Sequence, residues 1–202
     1  MGKEHWKAKN ELLQQFLKKY NFDIMAFQQT NLNLAAIHTK DQWDERVLGW
    51  WESNHVTVKA YNENKDVQTA MQPGGCMLVS ANKAKQHVIG CGVDESGLGR
   101  WAWTRYRGRH DVTLRDISAY RCGSNEGPST VFSQQRRYFD ARNDSRNPRK
   151  IILIDLCTAI ELWQEEGDQI VLMMDANENV GEMHMQNIFE TVRLREAIID
   201  RH

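Results

Sequence analysis

Near the end of the chain an apolar run, Ile170 to Met174, stops on Asp175, and Asn177 follows two residues later. A carboxylate and an amide at that spacing can hold an attacking water, hydrogen-bond a phosphate, or offer oxygens to a hard divalent cation. Gly167 and Asp168 open the run as a polar turn. Its composition reads as a strand buried on both faces. The ends of such strands are where open sheets place their ligands. Two plainer readings compete. Asp175 could cap a following helix. Asp175, Asn177 and Asn179 also match the opening spacing of a calcium loop, but Val180 and Gln186 stand where that loop needs Gly and a bidentate acid, which removes it.

The elements that must hold this segment follow from the period of the apolar positions. Leu12, Leu13, Phe16 and Leu17 recur at helical spacing within residues 3–20, with Lys18 and Lys19 in the last turn. Asp23 to Gln28 reads as a short strand running into Gln29, Thr30 and Asn31. Residues 39–72 are polar, Trp-bearing and irregular, with a short strand expected near His55 to Ala60. Pro73-Gly74-Gly75 marks a turn before strands at Cys76 to Ser80 and His87 to Val93. Arg100 to Arg107 alternates polar with apolar, the period of a strand, and pairs with Val112 to Tyr120 as a hairpin. Helices are expected over 130–143 and 148–166, the second with Pro148 in its first turn, and again from His184 to Ile199. Hairpins early and alternating strands and helices late indicate a layered α+β architecture.

With 202 residues, 41% hydrophobic and 26% charged, the chain reads as a single domain spanning 1–202. No apolar run approaches the ~20 residues of a membrane helix, and the polar N-terminus is no secretory signal. Cys76, Cys91, Cys122 and Cys157 lie far apart without metal spacing, and read as reduced, mostly buried residues of an intracellular protein. The net charge of −1 conceals an asymmetry. Residues 100–150 carry 12 Lys/Arg against 5 Asp/Glu, whereas residues 151–202 carry 3 against 11. The basic stretch could follow a phosphate backbone or pair with the acidic third of its own chain. Trp101 and Trp103, two apart, share a face for core packing or, less simply, for base stacking.

Three strand-end motifs, Phe27 to Asn31 (FQQTN), Ile117 to Gly123 (ISAYRCG) and Met174 to Val180 (MDANENV), stand in an order that resembles the endonuclease/exonuclease/phosphatase superfamily, the DNase I-like fold. GGCMLVS, GRWAWTRYRG and the segment from VFSQQRRYF to MDANENV look closest to retrotransposon-type endonuclease domains. The resemblance implies a four-layer α/β/β/α sandwich and metal-dependent phosphodiester hydrolysis, with Mg²⁺ or Mn²⁺ as cofactor and DNA as partner. It implies that Asp175 orients or deprotonates water, that Asn177 and Tyr120 contact the phosphate, and that Gln29 stands where the family has a metal-binding Glu. An amide there brings no charge to a hard cation and can equally serve as a strand-end hydrogen-bonding group. Arg121, Arg136 and Arg137 are candidates for the nucleic-acid backbone. Against the family pattern the first strand and the C-terminal strands with a Ser-Asp-His motif are not expected here; His202 does not match that His. The expectation is therefore an incomplete sandwich, weak or inactive, prone to associate through open sheet edges. A non-catalytic nucleic-acid- or protein-binding remnant, and a phosphatase for phosphoinositides or other small phosphodiesters, remain the alternatives.

Overall fold

Strand alternation builds the layers. In the computed structural model, which describes residues 3–51, 55–63, 71–179 and 182–197, two antiparallel-rich sheets face each other. The first has the order β1-β3-β2, from Ile24–Gln28, Cys76–Ser80 and Val56–Ala60. The second has the order β4-β5-β6-β7, from Val88–Val93, Trp101–Arg107, Thr113–Tyr120 and Asp168–Asp175. Successive side chains of a strand point to opposite faces, so the even-numbered Ile24, Ala26, Val58, Ala60, Cys76 and Leu78 enter the space between the sheets. They meet Ala102, Tyr120 and Met173 from the second sheet. The odd-numbered Met25, Met77 and Val79 turn outward against Leu17 of helix α1 (Lys3–Tyr20) and Trp43 of the short α2 (Trp43–Arg46).

On the other side, Trp101, Ile117 and Ala119 pack on Ile152, Leu156 and Ile160 of α5 (Pro148–Glu165) and on Met185 of α6 (Met183–Thr191). Helix α3 (Asn82–Lys85) joins β3 to β4, and α4 (Val131–Asp140) sends Val131 and Phe132 into one end of the inter-sheet core. The result is the mixed α+β sandwich in helix, sheet, sheet, helix order that the sequence led one to expect. Helix starts follow local chemistry. The Thr130 side chain caps α4 by accepting from Ser133 N, and Asn147 caps α5 by accepting from Arg149 N, with Pro148 in the first turn.

Three expectations are corrected. β7 is not buried on both faces. Among the described residues it lies at the edge of its sheet, paired only with β6, and Val171 is 44% exposed, whereas β6 is buried throughout from Arg115 to Tyr120. α6 ends at Thr191, because Arg193 adopts φ +58 in the turn that follows and breaks the helical path. Ile198 to His202 lie outside the described residues. Trp101 is buried in the core under α5, and Trp103, half-buried, packs 5.7 Å from the Trp163 ring with the Arg115 guanidinium over its face. Packing is therefore the role both are placed for. Of the cysteines, all free, Cys76 and Cys122 are buried, Cys157 is half-buried and Cys91 is exposed.

Charge pairing answers the question left open by composition. Arg100 bonds Asp94 and Asp155. Arg105 and Arg115 converge on Asp168. Arg115, 3% exposed, also sits between the rings of Trp103 and Trp163, 4.2 and 4.4 Å from their centroids. Arg121 and Arg149 meet Glu178. Five of the twelve cations of residues 100–150 are thereby tied to acids of the chain's last third, and the Arg115–Asp168 pair is buried on both sides, so that its disruption would strand a charge.

Candidate functional site

The parallel pairing of β6 with β7 sets Tyr120 directly beside Asp175, the last residues of both strands. Both lie on the inter-sheet face, by the alternation that puts Ser118, Tyr120 and Met173 there. Beyond them the two chains remain tied: Arg121 N donates to Asp175 O at 3.0 Å. Asn177, with φ +47, turns back toward β6. Its backbone N–H donates to Asp175 Oδ1 at 3.1 Å, and its Nδ2 donates to Arg121 O at 2.7 Å. The Asn177 amide lies beside the Tyr120 phenol. Burial is the main influence on that phenol and raises its pKa, with the nearby Asp175 acting in the same direction and the Asn177 amide against it. Tyr120 therefore stays protonated and remains a hydrogen-bond donor. Asp175 caps no helix: α6 begins at Met183, after Glu182.

The first sheet delivers its own strand end to the same place. Gln28 Nε2 donates to Ser118 Oγ and to Met173 O, each at 3.1 Å, while Ser118 Oγ donates to Phe27 O at 3.1 Å. These bonds bridge the sheets one pleat below Tyr120 and Asp175. Gln29 follows with φ +53 and an exposed side chain. Thr30 N and Asn31 N donate to Gly75 O and Gly74 O, closing a turn against the Gly74-Gly75 pair. Both glycines have positive φ, and a Cβ on Gly75 would lie 2.7 Å from Thr30 Oγ1, so this close approach requires glycine. A Cβ on Gly74 would lie 3.8 Å from Tyr120 Cδ1, which puts this turn against the phenol ring. Gln29, Tyr120, Asp175 and Asn177 thus stand at neighbouring strand ends on one side of the sandwich.

Arg121 is placed otherwise than expected. It is 4% exposed, and its guanidinium donates to Ala176 O, to Arg149 O and to the Glu178 carboxylate. Arg149, from the first turn of α5, adds bonds to Cys122 O, Asn177 O and Glu178. Two guanidiniums and one carboxylate thus clamp the Asp175–Glu178 loop from beneath, and Arg121 is a positioning residue with no face for a phosphate. Arg136 is half exposed on α4, with its charge shared by Asp140 and by Ser145 O. Arg137 is exposed and donates to Pro128 O. Sequence reasoning missed Gln28, Arg149 and Glu178. Glu178 lay within the MDANENV motif, but its pairing depends on residues more than 25 positions away.

The donor set can be tested against a divalent ion. Asp175 offers the one carboxylate without a cationic partner among the described residues at these strand ends, and Gln29 offers only an amide. Glu178, Glu182 and His184 bring ligand atoms within 4.8 Å of one another, but Glu178 is already neutralised by Arg121 and Arg149. The residues present do not fit a resident Mg²⁺ or Mn²⁺, which relies on anionic oxygens to offset its dehydration.

Among solved structures the chain is similar to D. rerio TDP2 humanized by 14 mutations, with a TM-score of 0.48 and 10% identity, over 96% of this chain and 67% of that one. It is also similar to TDP2 from Caenorhabditis elegans, with a TM-score of 0.46 and 13% identity, over 98% of this chain and 47% of that one. No family model and no curated protein matches the chain. Among the described residues no helix is long and apolar enough to cross a membrane.

Proposed function

We propose that the cluster of Tyr120, Asp175 and Asn177 is a phosphodiester site of the DNase I-like kind, that its ligand is DNA, and that this chain binds the phosphate without cleaving it efficiently. The observation that carries the reading is the side-by-side pairing of Tyr120 with Asp175 at one sheet end, with Asn177 folded back onto the Arg121 carbonyl. Tyr120, kept protonated, donates to a phosphate oxygen. Asn177 orients that phenol, and the free oxygen of Asp175 holds a water in line with the phosphorus. In a DNase I-like hydrolase a divalent cation would polarise the phosphoryl group, a contribution of several kcal/mol. With Gln29 in place of a carboxylate, this chain's residues supply positioning and hydrogen bonding alone. Loss of one charge-stabilising donor commonly costs on the order of 10²- to 10³-fold in rate. Arg137 and Arg136 on α4 provide the charge facing a strand of DNA. The closeness to retrotransposon-type endonuclease domains rests on the sequence segments that carry it.

Two measurements test the proposal. Plasmid nicking with Mg²⁺ and with Mn²⁺ should not exceed that of Asp175→Ala, and Gln29→Glu should not restore it. Duplex DNA should bind at low salt, with affinity falling with a log–log slope of roughly −2 to −4, as expected for a few phosphate contacts. Robust Mg²⁺-dependent nicking abolished by Asp175→Ala would overturn the claim of inefficiency. Absence of DNA binding at low salt would overturn the site's ligand, and cleavage of small phosphodiesters without DNA affinity would point to a phosphoinositide-type substrate instead. The single uncommitted carboxylate also favours a second reading, a purely nucleic-acid-binding module, which the same two assays separate from an enzyme.

A further inference from the structure

Apolar packing holds the two sheets together without setting their register, because its strength scales with buried area and has no direction. The strand ends that form the candidate site come from both sheets, so their spacing depends on directional contacts that cross between them. At this end of the sandwich the Gln28 carboxamide makes such contacts. Gln28 is the last residue of β1, and its Nε2 donates to Ser118 Oγ of β6 and to Met173 O of β7, each at 3.1 Å. Ser118 Oγ donates back to Phe27 O at 3.1 Å, which closes the network on β1. Ser118 and Met173 are partners in the β6–β7 register and stand two residues before Tyr120 and Asp175. On its own strand Gln28 stands two residues before Thr30, whose N–H is bonded to Gly75 O. One side chain therefore ties the turn at Gly74-Gly75 to both strands that carry Tyr120 and Asp175.

We infer that Gln28 is a positioning residue, an amide that fixes the Gln29–Gly75 turn of the first sheet against the Tyr120–Asp175 pair of the second; its role in ligand binding rests on the reading of that pair as a phosphate site. The residue types argue for it. Ser118 is fully buried, and a buried polar pair gains little over an apolar pair of the same shape. What the polar pair adds is direction, since a satisfied network specifies one arrangement. An amide is also the group that these acceptors require. The hydrogen of Ser118 Oγ is spent on Phe27 O, and Met173 O is a carbonyl, so both need a donor, and one amide nitrogen carries two hydrogens. A carboxylate here would turn lone pairs on lone pairs. The other bonds between the sheets do not replace it. Ser80 Oγ bonds the Tyr106 phenol at the opposite end of β1, beside Ile24, and Cys76 Sγ, a weak donor, reaches Arg100 O and neither of the two site strands.

Two variants of the whole chain test the inference. Gln28→Met keeps the length of the side chain without its donors. Gln28→Met with Ser118→Ala removes both ends of the network, strands no buried partner between them, and carries the test where the single variant does not fold. In both, binding of duplex DNA at low salt should weaken about tenfold, as when one hydrogen bond to a charged group is no longer reached. The salt slope should stay that of the parent, because the exposed arginines of α4 are untouched. In ¹⁵N spectra the Asn177 side-chain amide, which lies on the second sheet, should shift, while the Ala81 amide at the far end of the sandwich should not. A double variant that binds DNA as the parent does, with its Asn177 resonance in place, would overturn the inference. So would weaker binding that comes with a reduced salt slope, which would assign the loss to charge. If the parent binds no DNA, the phosphate reading fails by itself, and the Asn177 resonance still decides for or against the positioning role of Gln28.

Discussion

Asp116 carries a cost that can be measured. It lies in the middle of β6 on the inter-sheet face, opposite Thr104 of β5, and is 3% exposed. Among the described residues no cation faces it, and Thr104 Oγ1 is itself buried without a hydrogen-bond partner. The titratable neighbour is Tyr106, whose phenol is bonded to Ser80 Oγ at 2.7 Å and pushed up to about 12, mainly by burial. Desolvation alone lifts the Asp116 carboxyl from 3.8 to about 6. The folded chain then holds this proton more tightly than the unfolded chain does. The carboxyl costs nothing below pH 3.8, and the penalty grows as pH rises to 6. Above that it levels at about 3 kcal/mol, because each tenfold gain in proton affinity is worth ~1.4 kcal/mol. Roughly half is already incurred at pH 5, so Asp116→Asn should gain on the parent by about 1.5 kcal/mol between pH 5 and pH 8. In thermal melts that is a widening of roughly 3–6 °C in the difference between the two proteins. The amide's own desolvation shifts both ends equally and does not enter the difference. A gap between parent and variant that stays constant from pH 5 to 8 would refute the reasoning, because it would mean the carboxyl ionises as readily inside as outside.

Two further substitutions probe the frame around the candidate site. Arg121→Ala should lower stability in urea by about 1–3 kcal/mol, because it leaves the carbonyls of Arg149 and Ala176 without their buried donor while Glu178 keeps Arg149, and hydrogen exchange should accelerate first in the Asp175–Glu178 loop. Gly99→Ala should cost about 3 kcal/mol or more by the same assay, since φ is +70 and the added Cβ would fall 2.5 Å from the Tyr61 carbonyl carbon, with backbone on both sides unable to yield; a cost under 1 kcal/mol would show that the Tyr61 segment moves.

What the sequence made legible was local. The hairpin of β5 and β6, Pro148 in the first turn of α5 and the turn at Gly74-Gly75 follow from residues within a few positions of one another, and the structure has all of them. The layered α+β architecture was legible as well, from hairpins early in the chain and alternating strands and helices late. What escaped was set by pairing at long range. The run Ile170 to Met174 has the composition of a central strand, yet its exposure is decided by whether a second strand lies on its outer side, which its own residues do not state. The end of α6 escaped for a different reason: Thr191, Val192 and Arg193 carry no Gly, Pro or Asn to announce a stop, and the left-handed Arg193 is imposed by Val192 and Leu194 packing back under α5.

Arg121 shows how this bears on function. Its position next to Tyr120 made it look like a phosphate contact, and the density of arginines from residue 100 onward made the whole stretch look like a DNA-binding face. In the folded chain Arg100, Arg105, Arg115, Arg121 and Arg149 are each paired with an acid from the chain's last third or from the adjoining loop. A buried guanidinium already bonded to carbonyls and a carboxylate, as Arg121 is, cannot turn to a phosphate without leaving those acceptors unpaired. The cations of this stretch near the site that are available to a ligand are therefore the exposed ones on and after α4, since the exposed Arg107 and Arg109 lie at the far end of the β5–β6 hairpin, and the buried ones do different work. By neutralising Glu178, Arg121 and Arg149 fix the loop that carries Asp175 and Asn177, and they also remove the second carboxylate that a divalent ion would need. The same two side chains that give the site its shape deprive it of charge, which is why a well-formed cluster and a poor catalyst are compatible in one chain.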